Sequence, residues 1–294
     1  MNKLNKLGLG TVQWGLPYGL ANQNGIPASE TVTVILDEAK QRGVSVLDTA
    51  SLYGKSEAVL GTNSLDRFRV VTKTQKFGTP HISDLEVSQL EVTFQRSLEL
   101  LSCAKVYGLL IHHAEDILVP GGGRLLAALR QLKEEGLVEK IGVSVYNSLQ
   151  VDDVLEKFSP DLIQLPLSVL DQRMLASGHL ELLKDKGVEI HVRSVFLQGL
   201  LLMPLSAVPA FFDPIRSLLT QWRAVTSAQG LTAAQAALAF VKNLPCVDAV
   251  LVGFDSVEQF CSGADDFAMD IRFDAAGLAC NDPNFVNPSL WQIK

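Results

Sequence analysis

Apolar, β-branched segments alternate with amphipathic ones along almost the whole chain, at steps of very roughly 25–40 residues, which is the arithmetic of a parallel βα sheet. Val44 to Leu47, Phe68 to Lys73, Val106 to Ile111, Lys140 to Ser144, Asp161 to Leu165, Val188 to Arg193 and Val247 to Val252 read as strands. Their near-continuous apolar runs are what a sheet covered on both faces requires. Ser29 to Arg42, Asp84 to Leu101, Leu125 to Glu135, Leu149 to Phe158, His179 to Lys186, Ile215 to Gln229 and Thr232 to Lys242 read as helices between them. In these the apolar residues recur at three- and four-residue steps. Gly43, Gly136 and Gly187 act as stops, and Thr232 as an N-cap. Leu7 to Thr11 reads as a short strand or hairpin edge. About eight units in this length predict a (β/α)8 barrel. An open doubly wound sheet would carry a Gly-rich fingerprint after its first strand, and none is present. Residues 1–294 form one domain in this reading, with an irregular tail from about 264 packed across one end.

Composition narrows the function. The net charge is −7 with no Lys/Arg cluster, which argues against nucleic acid, whose phosphates demand a basic face. Cys103, Cys246, Cys261 and Cys280 are scattered without metal-ligand spacing, so neither a metal site nor a disulfide framework is expected and a reducing cytoplasm fits. Met1 to Lys6 lacks the apolar run of a signal peptide. No stretch approaches the ~20 apolar residues of a membrane span. A small-molecule substrate is expected; nothing in the sequence fixes an oligomeric state.

In a parallel barrel, chemistry collects at the C-terminal ends of the strands. The polar residues there are Asp48 with Tyr53 in its loop, Lys73, His112 or His113, Ser144, Gln164, and Arg193 with Ser194. Alone, each has an ordinary reading: Asp48 could cap a helix, Tyr53 could be a rim tyrosine and Lys73 a solvated lysine. Together they make a proton-transfer site. A phenol has a reference pKa near 10, and an adjacent lysine favours its phenolate. An aspartate holds that lysine charged, and a histidine can orient a carbonyl oxygen. Such a set can protonate or deprotonate an oxygen while a hydride moves at the neighbouring carbon.

Asp48-Thr49-Ala50-Ser51-Leu52-Tyr53-Gly54-Lys55-Ser56-Glu57-Ala58-Val59-Leu60-Gly61 resembles the DTAxxYGxSExxLG signature of the aldo-keto reductase family. Further stretches match in order: Leu7 to Thr11 its opening hairpin motif, Val71-Thr72-Lys73 its lysine strand and Leu109 to His112 its histidine strand. Ile141 to Ser144 and Leu162-Ile163-Gln164 are similar to its nicotinamide-contacting strands, and Gly253 through Gln259 to its phosphate and adenosine loop. The resemblance implies NADPH or NADH as cofactor, without metal or flavin. It implies Tyr53 as general acid–base, Lys73 as the partner that lowers its pKa, Asp48 as the ion pair of Lys73, and His112 as the carbonyl-orienting residue. His112 rather than His113 directly follows the apolar run, and strand alternation points the two to opposite faces. Gly10, Thr11, Ser144, Gln164, Arg193, Ser194, Leu197, Gly199, Gly253, Asp255, Ser256 and Gln259 are the implied cofactor contacts. Trp14, His113 and Phe196 are the expected substrate contacts, with Leu197 and Trp291 as further candidates for an apolar mouth.

The departures fall at the cofactor. Val145 follows Ser144 where the family often has Asn. Arg193 stands where it commonly has an aromatic residue stacked on the nicotinamide; a guanidinium also stacks, but it could instead bind an anionic substrate. Gly253-Phe254-Asp255-Ser256 offers no base to a 2′-phosphate, and Asp255 could accept from a ribose hydroxyl. Gly263 replaces an adenine-contacting Asn. NADH and NADPH both stay open. Two other functions compete with a carbonyl reductase or alcohol dehydrogenase: a nucleotide-binding regulatory protein with little turnover, and a Schiff-base aldolase using Lys73 as the nucleophile. The sugar, aldehyde or ketone would be selected by the loops Pro17 to Ile26 and Ala114 to Gly123, the loop after Arg193, and the tail.

Overall fold

A computed structural model describes residues 3–293; Met1 and Asn2, part of the N-terminal run read above, and Lys294 lie outside the described residues. Eight strands, β1 (Leu7–Gly10), β2 (Val46–Asp48), β3 (Arg69–Lys73), β4 (Val106–Ile111), β5 (Val138–Ser144), β6 (Leu162–Pro166), β7 (Glu189–Arg193) and β8 (Ala249–Val252), close into a parallel barrel in chain order. Alternation along each strand divides the side chains. Leu9, Leu47, Val70, Ile141, Ile163, Val192 and Val250 face outward into the main core under the helices. Val46, Ala249 and Leu251, and separately Val71, Leu110 and Leu162, fill the bore. The bore is crowded enough that a Cβ on Gly142 would lie 1.8 Å from the Leu162 carbonyl oxygen.

The first strand corrects the hairpin reading. β1 pairs in parallel with both β2 and β8 and is the element that closes the ring. Its sequence signal is weak for a packing reason: a Cβ on Gly8 would meet Leu251 Cδ2 at 2.8 Å. The position needs glycine, which has low strand propensity.

The helices follow their periodicity, and Ser29–Arg42 and Asp84–Leu101 have the expected bounds. Thr232 caps Ala233–Lys242 in a reciprocal box with Gln235. The tail differs from expectation in where it begins. A helix spans Val257–Ala268 and buries Phe260, Ala264 and Phe267, so irregular chain starts at Met269 rather than near 264. The tail then packs first beside the last two helices before β8 and further on against the segments after β6 and β7. Asn243 Nδ2 donates to Ile271 O at 2.7 Å, and Phe273 meets Trp222 edge-on at 5.5 Å. Further on, Cys280 N donates to Leu170 O at 2.8 Å, and Trp291 reaches Phe212 at 5.0 Å. No single helix among the described residues is long and apolar enough to cross a membrane.

Candidate active site

Asp48 ends β2 and Lys73 ends β3, and the two neighbouring strands bring them together in the bore. Lys73 Nζ lies 2.6 Å from Asp48 Oδ1, donates to Thr49 O at 2.8 Å, and stands 3.4 Å from Tyr53 Oη. Gln164, from the far side of the ring, donates its Nε2 to the same Asp48 oxygen at 2.7 Å. Asp48 therefore holds both a cation and an amide in place. Burial pulls the Lys73 ammonium down from its ordinary value, and the Asp48 carboxylate opposes it.

Tyr53 reaches this pair because its loop is clamped to the segment after β1. Gly54 adopts a left-handed φ of +57°, and a Cβ on Gly15 would lie 1.8 Å from Tyr53 O and 2.5 Å from Ser56 N. Ser56 Oγ bonds Thr11 Oγ1 at 2.7 Å, and Thr11 Oγ1 donates to Asp48 O at 2.9 Å. Gly15→Ala is expected to displace the Tyr53 loop. It should lower kcat/KM by about 100-fold, the scale of an ångström-sized misplacement; steady-state kinetics beside a thermal-melt control measure it.

Burial, with the Asp48 carboxylate next, raises the Tyr53 pKa above its ordinary value, so Lys73 does not leave it lowered. The ammonium spends its closest contacts on Asp48 and Thr49. Tyr53 is accordingly a protonated phenol, ready to donate.

His112 follows β4 and meets the Tyr53 ring edge-on at 5.9 Å. Burial, then the nearby Lys73 charge, drives its pKa down to about 2, so its imidazole is neutral. Its buried Nδ1 has no hydrogen-bond partner among the described residues. His113, expected as a substrate contact, packs on His112 with a tilted ring at 5.0 Å and does not border the cavity.

A cavity of about 740 Å³ opens over this centre and runs toward the loop after β8. Asp48, Tyr53, His112, Ser144, Gln164, Arg193, Ser194, Phe196, Gly199, Gly10, Thr11, Gly253, Asp255 and Gln259 all border it. Trp14, Leu197, Ser256 and Trp291 do not. Trp14 is fully buried and donates Nε1 to Phe254 O at 2.9 Å, a strut under the cavity rather than a substrate contact. The Leu197 side chain is buried in the core and its N–H donates to Ser194 O. Ser256 caps the following helix by accepting from Gln259 N at 3.2 Å. Trp291 packs on Phe212. Gly263 borders the cavity beside Phe254, whose Cε1 lies 2.5 Å from where a Cβ would be, so the ring needs the glycine.

Two buried acceptors in the wall lack partners, Gln164 Oε1 and Asp255 Oδ1. One suits a carboxamide N–H and the other a ribose hydroxyl, and with a cavity of this size the residues fit a nicotinamide dinucleotide. The loop after β7 carries left-handed φ at three residues that are not glycine, Ser194 (63°), Leu197 (45°) and Gln198 (53°). Such strain persists where surrounding contacts fix it. Here Gln198 accepts from Ala21 N at 3.3 Å and donates to Tyr18 Oη at 3.2 Å, bridging the loop to the segment after β1. Gln13 and Tyr146 are wall residues that the sequence reading passed over, and Tyr18 comes from the Pro17 to Ile26 loop expected to select substrate. Tyr146 had one available signal: it lies two residues beyond the strand-end Ser144.

With this geometry in hand, comparison with known proteins gives a consistent result. The model of the Aldo/keto reductase family matches residues 6–271. An NADH-specific methylglyoxal reductase of Escherichia coli strain K12 is 25% identical over 290 residues, covering 87% of each chain. An aldo-keto reductase of Bacillus halodurans, solved in its holo form, superposes with a TM-score of 0.71 at 20% identity, over 93% of this chain and 89% of that one. The glycerol dehydrogenase of Gluconobacter oxydans gives 0.66 at 19% identity, over 92% and 88%. The chain belongs to the aldo/keto reductase family.

Proposed function

We propose that this NAD(P)H-dependent oxidoreductase interconverts a small-molecule carbonyl and its alcohol with Tyr53 as the proton donor and acceptor. The observation that carries the assignment is the Tyr53–Lys73–Asp48 chain, with Lys73 Nζ 2.6 Å from the carboxylate and 3.4 Å from the phenol. A bound dinucleotide supplies the hydride. Ser144 and Gln164 would hold its carboxamide, and Gly253, Asp255 and Gln259 its other end. Neutral His112 orients the substrate oxygen toward Tyr53, which gives it a proton as the carbon is reduced. Lys73 steadies the phenolate left behind. Lys73 as an aldolase nucleophile is disfavoured: its side chain is fully buried and its ammonium donates to Asp48 and Thr49, whereas a nucleophilic amine must be neutral and reachable. Titration with NADH and NADPH, followed by intrinsic fluorescence, and then a carbonyl panel test the reading. Binding of neither would sink it.

NADH is the favoured form. Asp255 presents a buried, unpartnered carboxylate oxygen, and Glu258 and Asp266 border the same end of the cavity. These acids would repel a 2′-phosphate and accept from a hydroxyl. The Escherichia coli relative named as NADH-specific points the same way. Asp255→Ala is expected to shift the NADPH-to-NADH ratio of kcat/KM upward about ten-fold, the removal of roughly 1.4 kcal/mol of like-charge repulsion. An unchanged ratio would defeat the role of this loop. The four free thiols support a reducing compartment, the cytoplasm.

A further inference from the structure

Among the described residues Arg193 is the one lysine or arginine in the cavity wall, and it stands at the end that holds Tyr53. Its guanidinium stacks on the Tyr146 ring, 4.2 Å from the centroid. It donates to Val145 O at 3.2 Å and Ser194 Oγ at 3.4 Å. Among the described residues no carboxylate pairs with it, although the neighbouring cation, Lys73, is fully paired with Asp48. Three of its five N–H groups are therefore free to meet a ligand. Tyr53 is a protonated phenol and Tyr146 presents another hydroxyl, while Asp48 is already occupied by Lys73 and Gln164. The guanidinium acts on the reaction centre itself: its charge biases Tyr53 and Tyr18 toward ionisation and Lys73 and His112 toward neutrality. The acids Asp255, Glu258 and Asp266 border the end formed by the loop after β8 and its helix.

Resting on the reductase reading above, we infer that Arg193 is a substrate-recognition residue and that the preferred substrate is a carbonyl compound bearing its own anionic oxygen group, a carboxylate or a phosphate. An unpaired, partly desolvated cation in a concave site, with the neighbouring Asp48 carboxylate already held by Lys73, is what an anion requires. The stack on Tyr146 and the bonds to the Val145 carbonyl and the Ser194 hydroxyl preorganise the fork for that contact. The reaction balances without another reagent. A hydride from the reduced dinucleotide forms the new C–H bond, the C=O π pair moves to oxygen, and Tyr53 donates the proton, which solvent restores. The substrate's anionic group is unchanged.

Two matched pairs test this at saturating NADH: phenylglyoxylate against its methyl ester, and glyceraldehyde 3-phosphate against glyceraldehyde. The wild type should favour the anionic member of at least one pair, and which pair identifies the anion as carboxylate or phosphate. In Arg193→Gln that preference should fall by about 10- to 100-fold, the worth of a charge-assisted contact, through KM more than kcat. NADH affinity measured by fluorescence should move far less than the KM of the anion. Equal losses on both members, or a matching loss of NADH affinity, would overturn the proposal and return Arg193 to the cofactor. A wild type that prefers the neutral members overturns it as well, while leaving the reductase reading intact. A wild type that reduces no member with either dinucleotide removes both.

Discussion

Tyr53→Phe is expected to lower kcat by about 10²- to 10⁴-fold, the usual contribution of a positioned general acid, with nucleotide affinity nearly unchanged. The substitution removes a single oxygen that bonds Lys73 at 3.4 Å and leaves the ring against His112. The loop keeps its shape because its clamp is made by backbone at Gly15 and Gly54 and by Ser56 and Thr11. A loss confined to turnover thus separates proton donation from positioning. The pH profile gives the same residue a second signature. Because burial and Asp48 raise the Tyr53 pKa above the phenol's normal value near 10, the protonated donor persists through neutral and mildly alkaline pH. Reduction should show no loss in that range from the phenol's titration. Alcohol oxidation, which needs the phenolate, should climb with pH throughout. Carbonyl reduction by Tyr53→Phe at the wild-type rate would end the assignment.

Lys73→Met should be the most damaging single change to the fold of the site. Its side chain is fully buried and that of Asp48 is 7% exposed. Removing one partner of a buried pair leaves an uncompensated charge, and such changes cost about 3–5 kcal/mol. The midpoint of denaturant unfolding reports it. Adding Asp48→Asn should recover part of the loss, since the stranded carboxylate is gone and Gln164 can still donate to an amide oxygen. Activity should not return, because the phenolate has lost its cation. If the double variant were no more stable than Lys73→Met, the ion pair would not be the source of the cost.

The candidate residues Asp48, Lys73 and His112 were legible because each stands at the end of an apolar run, and strand geometry turns that position into a point on the rim; Tyr53 was legible from its place in the loop after Asp48. Asp48, Lys73 and His112 needed only the period of two and the parallel topology. Asp255 was legible from charge alone. What was hidden depends on crowding across the ring. β1 looked weak because Gly8 answers to Leu251 and Val46 from neighbouring strands. Trp14 looked like a mouth residue, but its indole N–H satisfies a carbonyl 240 positions away. Burial of Tyr53 opposes any lowering of its pKa, and that depth is not visible in a list of sequence neighbours. Tyr146 was passed over because its contact with Arg193 joins two strand ends that no single motif contains.

The clamp between Gly15 and the Tyr53 loop is local in the chain. β1 pairs with β2 directly, and Thr11 and Ser56 join the two following loops, so the edge that fixes the phenol is built from residues close in sequence. The pair that closes the ring, β1 with β8, has the greatest sequence separation and is of the kind slowest to form. That seam sets Gly253 against Gln13 and brings Asp255 into the far wall of the cavity. A barrel open there would keep the clamp on Tyr53 and lose the wall at the other end.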